Sequence, residues 1–217
     1  DSETIPFKKA VDDAVTHPAT SEISESFCPN MTNNEFCALM LRLRDKAVFL
    51  IAQRRLPEIE RWDKAARDRV KDWFGIADES IRQHLQEGFR ACERVLNNLT
   101  CANFVRYSDI SQKKLVCTFP SESDRGTVAA VCKPDTATHT IAFTAEFCDL
   151  REFSAESDSK LLTLIHEVTH FNDCFASMDT VYKMKEARKA ATSNAAEMKT
   201  NADSLAGYVV WGESYVD

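Results

Sequence analysis

No run of 18 apolar residues occurs in this 217-residue chain. No transmembrane helix is expected, because a bilayer core takes about 20 apolar residues to cross. Positive charge is also scarce: 27 Lys and Arg stand against 34 Asp and Glu, a net of −7. Nucleic acid is not an expected partner, since neutralising phosphates needs a basic face. No CxxC pair is present, which removes support for a cysteine-rich structural zinc site or a thioredoxin-like redox site. Low-complexity stretches, internal repeats and a visible signal peptide are missing too. The first residues, Asp1-Ser2-Glu3-Thr4, are polar, so a secreted protein would stand here in trimmed form.

What the chain does hold is eight cysteines: Cys28, Cys37, Cys92, Cys101, Cys117, Cys132, Cys148 and Cys174. An even number spread over the chain predicts four disulfides formed in an oxidising compartment. The alternative is a set of buried free thiols in a cytosolic protein. Two sequons, Asn30-Met31-Thr32 and Asn98-Leu99-Thr100, agree with secretion. The length suits one domain with a real core, residues 27–217, preceded by a polar, acidic arm or pro-segment remnant over residues 1–26. That arm holds a helix-compatible piece near Phe7 to Val15.

Phe36, Leu39, Met40, Leu43, Ala47, Leu50 and Ile51 recur at three- and four-residue steps and predict a helix over Asn33–Leu56. Pro57 ends it or starts the next. A second helix fits Glu58–Trp73, closed by Phe74-Gly75. A third, capped by Asp78, runs through Leu96. Three short β-branched or aromatic runs then predict strands: Leu115–Phe119, Thr127–Val131 and Thr140–Thr144. Helix returns after a cap at Ser157 or Asp158 and continues to Phe171. Further helices are expected over Thr180–Ala191 and from Asn201 onward. Helices, then strands, then helices predict an α+β fold: one helix-rich zincin-like domain with a small sheet.

His166-Glu167-Val168-Thr169-His170 is an HExxH motif. Residues four apart share a helix face, so both imidazoles reach one ion at about 2.0–2.1 Å. Glu167 is angled off ligation and suited to take a proton from a water there. Five His in 217 residues make such a pattern rare by chance, roughly 0.01 per chain. A catalytic zinc needs a third protein ligand. A metzincin would place a His six residues past the second, where this chain has Ala176. Asp173 and Cys174 lie too far along a continuing helix, since His166 to Cys174 spans about 12 Å of rise. Cys174 is better suited to a disulfide that anchors the helix end. Glu186 and Glu197 on a later helix, and Asp179 past an Ala176-Ser177 turn, remain as candidates.

The run from His166 through Ala176-Ser177-Met178-Asp179-Thr180-Val181-Tyr182 resembles the deuterolysin-type aspzincins, whose pattern is HExxH followed by GTxDxxY. Asn201-Ala202-Asp203-Ser204 resembles their downstream NADS element, and Trp73-Phe74-Gly75 and Thr140–Phe147 are similar to family segments. The resemblance implies a secreted zinc endopeptidase, with one zinc per chain on His166, His170 and Asp179, and Tyr182 as oxyanion donor. It also implies that Asp203 lies near the pocket for the residue after the scissile bond, favouring Lys or Arg; capping of the last helix is the alternative for Asp203. Lysine-selective members carry a second acidic residue where this chain has Ala206. Two family glycines are replaced, by Ala176 and by Lys183.

Protein or peptide substrates and a monomeric state are expected. The competing readings are a gluzincin-like peptidase using Glu186 or Glu197, and a non-catalytic secreted effector or binding protein on the same zinc scaffold. His17, His84 and His139 are isolated and read as surface or core histidines. Trp62, Trp73 and Trp211 read as core or interface residues.

Overall fold

The computed structural model describes residues 25–120 and 127–215; the helical piece expected near Phe7 to Val15 lies outside them. The first helix, α1 (Asn33–Phe49), opens on a capping box: Thr32 accepts from the Glu35 amide while the Glu35 side chain accepts from the Thr32 amide. The helix does not stop before Pro57. It passes through a π-helical turn, Leu50–Arg55, straight into α2 (Leu56–Arg61). The amide of Leu56 reaches back to Ile51 O. That wider turn lets the proline, which has no N–H, sit in the first turn of α2 without breaking the rod.

The second expected helix is two. Trp62 takes a left-handed conformation, φ 50° and ψ 35°, which closes α2. Asp63 then accepts from the Ala66 amide and starts α3 (Lys64–Phe74). Gly75, at φ 77°, ends α3 as the sequence predicts. A Cβ there would lie 2.3 Å from Ala191 O, so this turn takes only glycine. Asp78 caps α4 (Glu79–Asn98) through the Ile81 amide.

The sheet is smaller than expected. It has order β1-β3-β2, with β1 (Phe104–Arg106) parallel to β3 (Ile141–Phe143) and β2 (Ala129–Val131) antiparallel to it. Leu115–Phe119 forms no strand; Cys117 is tied to Cys132 and Pro120 O accepts from the Tyr107 hydroxyl. A short helix, α5 (Ala145–Asp149), leads on to α6 (Lys160–His170), capped by Ser159 rather than Ser157 or Asp158. Then come α7 (Met184–Ala190), α8 (Ala195–Met198) and α9 (Ala202–Val210). The fold is α+β and helix-rich.

Helix α6 is the centre of the molecule. Nine of its eleven residues are buried, so it is wrapped on every side: by α1, α4, α9 and β2. Trp73 and Phe74 of α3 pack against Trp211 and Tyr208. Disulfides Cys28–Cys148, Cys37–Cys101 and Cys117–Cys132 hold Cα atoms 5.5, 5.5 and 5.7 Å apart. The remaining two cysteines, Cys92 and Cys174, are neighbours outside these three disulfides.

Candidate active site

The site grows from the end of α6. His166 and His170 stand one turn apart, with Nε2 atoms 3.0 Å from each other and rings at 81°. The helix stops at His170, because Phe171 has ψ 140°. The chain then folds back on itself: the amides of Cys174 and Ala176 both bond to Phe171 O, and the Ser177 amide bonds to Thr169 O. Next it pairs with the start of α9. The Met178 amide bonds to Thr200 O at 2.7 Å and the Ala202 amide to Met178 O at 2.9 Å. This pairing sets Asp179 opposite the two histidines.

Asp179 Oδ1 lies 3.0 Å from His166 Nε2 and 3.1 Å from His170 Nε2. The three ligand atoms therefore form a nearly equilateral triangle. Tetrahedral bonds of 2.0–2.1 Å put ligand atoms about 3.3 Å apart, so a zinc ion caps this triangle with little adjustment. The other ring nitrogens agree. His166 Nδ1 donates to Asp203 Oδ1 at 2.6 Å, and His170 Nδ1 donates to Ser177 O at 2.9 Å. Each partner accepts, so each Nδ1 keeps its hydrogen and each Nε2 presents a lone pair to the same point. Among the described residues this is the one cluster with metal-ligand geometry. Glu186 and Glu197 are exposed on α7 and α8, outside it.

The electrostatics favour a cation. Burial works against charge on His166, but hydrogen bonds to Asp179 and Asp203 outweigh it and raise the imidazole well above its usual range. Burial likewise opposes charge on Asp179, yet the hydrogen bonds from both histidines hold its carboxyl far below the usual carboxylate range. Glu167 is 5% exposed, and that burial lifts its carboxyl. Its Oε1 stands 3.9 Å from His166 Nε2, beside the metal position without being part of the triangle. Tyr182 is 60% exposed; partial burial and neighbouring Asp179 push its hydroxyl up to about 12, so it stays a donor.

Residues 60–210 match the profile of the aspzincin family, described as lysine-specific metallo-endopeptidase. The chain belongs to the aspzincin family. It is a zinc metalloendopeptidase whose substrates are proteins or peptides. Its fold is similar to a solved zinc peptidase from Grifola frondosa: TM-score 0.61 at 19% identity, covering 81% of this chain and 94% of that one. Comparison with curated proteins gave no match.

Ala176 sits at φ 49° and Lys183 at φ 77°, the positions where GTxDxxY and its following residue carry glycine. Two residues that motif reading did not single out as site residues hold the turn between them. Ser177 is fully buried; besides its carbonyl, its hydroxyl donates to Thr169 Oγ1, and the hydroxyl oxygen lies 3.1 Å from His170 Nδ1, where it can only accept. Asn201, also fully buried, accepts from the amides of Thr180 and Val181 and donates to Val181 O. A buried asparagine at the head of an apolar helix is the signal that marks it, since such a group must find partners. Asp203 is 6% exposed and spends both oxygens, one on His166 Nδ1 and one on the Lys183 amide at 2.6 Å. It does not cap α9, which has Asn201 at its N-cap and no side-chain cap bond. His84 bonds to Lys199 O, and His139 to Asp173; neither joins the metal cluster.

Proposed function

We propose that this aspzincin cleaves peptide bonds with one zinc per chain held by His166, His170 and Asp179, with Glu167 as general base. The observation that carries this reading is the triangle of ligand atoms, each side 3.0–3.1 Å. When bound, zinc supplies Lewis acidity and brings the pKa of a water at the site towards 7. Glu167 takes the proton of the attacking water and returns it to the leaving amine. The Tyr182 hydroxyl donates to the oxygen that gains charge as the carbonyl is attacked. Asp203 fixes the tautomer and ring direction of His166.

Asp203 also underlies the proposed preference for Lys or Arg after the scissile bond. Two of its lone pairs are already spoken for, and Ala206 adds no second carboxylate, so the preference is modest. Three disulfides support an extracellular setting, where the chain acts as a single-domain monomer.

The test uses Glu167→Gln and Asp179→Ala in the purified chain with a casein substrate. Glu167→Gln retains zinc and loses about 10²–10⁴ in kcat. Asp179→Ala loses zinc by elemental analysis. Wild-type turnover in the first, or full zinc in the second, overturns the assignment. Cleavage of a mixed peptide library by the wild-type chain should enrich Lys and Arg after the cut; no enrichment removes the specificity role of Asp203 and leaves its role at His166.

A further inference from the structure

Between His170 and Asp179 the chain lays Cys174 and Phe175 against α4. The Phe175 ring rests on the bare Cα of Gly88: a Cβ there would lie 2.0 Å from Phe175 Cε1. Its other neighbours are Phe89 and His84, with centroids at 4.9 and 5.2 Å. Cys92 is one helical turn beyond Gly88, on the same face. It is buried, and Cys174 is the thiol that neighbours it. Six of the eight cysteines are paired elsewhere. These two are left for each other, 82 residues apart in sequence.

We propose that Cys92 and Cys174 are a covalent modification site: oxidation joins them into a fourth disulfide that fastens the metal-bearing turn to α4 and slows zinc release. Cys174 is the partly exposed thiol. Burial, and then the contact with Cys174, pushes the Cys92 thiol up, so Cys174 reacts first. Its thiolate attacks one sulfur of a low-molecular-weight disulfide such as glutathione disulfide. The sulfur–sulfur bond of the reagent breaks, one thiolate leaves and takes up a proton, and a mixed disulfide remains on Cys174. The Cys92 thiol gives its proton to solvent and attacks the Cys174 sulfur, expelling the second small thiol. Two protein thiols lose two electrons and two protons, and the reagent becomes two thiols.

The position gives the bond its consequence. Cys174 is four residues past His170 and five before Asp179, so it sits in the stretch that sets the third corner of the ligand triangle. A crosslink there removes the freedom of that stretch to peel from α4, which is the motion that lets Asp179 withdraw.

The full-length, zinc-loaded chain is the material for the test, compared before and after equilibration with glutathione disulfide. After alkylation without reduction and proteolytic mapping, the expected product is a peptide pair joined through Cys92 and Cys174, lighter by two hydrogens than the separate thiols. Zinc release to a coloured chelator should be several-fold slower from the oxidised chain. The crosslink is read by mass and does not depend on peptidase activity. Two alkylated thiols after equilibration, a glutathione adduct that persists on Cys174, or Cys92 joined to another cysteine overturns the site. Equal release rates overturn its coupling to the metal. Cys174→Ser, at a half-exposed position, should release zinc at the rate of the unoxidised wild-type chain and be indifferent to the oxidant.

Discussion

Lys183 has φ 77° and ψ 138°, a region that suits glycine and costs another residue about 1–3 kcal/mol. The strain persists because the Lys183 amide is the donor that Asp203 Oδ2 needs. Lys183→Gly should therefore raise stability by about 1 kcal/mol, after allowing for the extra freedom glycine has in the unfolded chain. A higher urea midpoint with unchanged slope is the expected reading; a lower midpoint would show that the lysine side chain contributes more than its backbone costs. At this scale the sequence was informative about some residues and silent about others. His166, Glu167 and His170 announce themselves because metal ligation and proton transfer need those residue types at that spacing. Asp179 is one of three ligand candidates that the residues themselves leave, and the resemblance points to it and to Tyr182. Ser177 and Asn201 stand inside the stretches that carry the resemblance, but their roles are not readable there, because they work by satisfying backbone groups and imidazole hydrogens in three dimensions.

The bare face of Gly88 is what lets α4 and the segment after α6 meet. Gly88→Ala would put a methyl group 2.0 Å from the Phe175 ring, and the ring is held between Phe89 and His84. Overpacking of this kind costs about 1–3 kcal/mol. The variant should melt earlier and also hold zinc less tightly, since Phe175 can shift only by moving the chain that carries Asp179. Competition with a graded series of chelators measures the second effect; an earlier melt with unchanged zinc affinity would separate the packing from the metal. Element boundaries show where sequence patterns stop being sufficient. The apolar stripe of α1 predicts a helix to Leu56, but periodicity does not register the switch to π-helical bonding at Leu50. The helix expected from Thr180 starts at Met184, because Asn201 and Asp203 take the amides of Thr180, Val181 and Lys183. Strand β1 is three residues long and is defined by its partner β3, a long-range pairing that its own residues do not encode.

For the whole molecule, the proposed metal would add a tie between α6 and the turn after it, on top of the hydrogen bonds that already join them. On the proposed ligand set, zinc would bind the folded chain through α6 and the following turn, and the unfolded chain offers no preset triangle, so binding would add RT ln(1 + [Zn]/Kd) to stability. Stripping zinc from Glu167→Gln, whose expected turnover is too low for appreciable self-digestion, should lower Tm, and adding zinc back should restore it in proportion to the logarithm of its concentration. A Tm indifferent to chelation would mean that the ligand atoms are held by the protein alone. The overall class, α+β with a central HExxH helix, was legible from the order of periodic segments. The small sheet was overestimated because β-branched residues in a disulfide-tied loop look like strand residues.

The pairing of Met178 with Asn201 has a temporal side. The motif of α6 is complete at residue 170, yet its geometry borrows from residues 200–203: a backbone pairing that presents Asp179, and a carboxylate that orients His166. A polypeptide emerging from the ribosome with His166, Glu167 and His170 already made still lacks the strip of chain that arranges them. On the proposed ligand set, the site takes its shape only once residues 200–203 have been made and docked against the turn after α6, so a chain that ends at the HExxH motif would hold the histidines without the geometry that aims them.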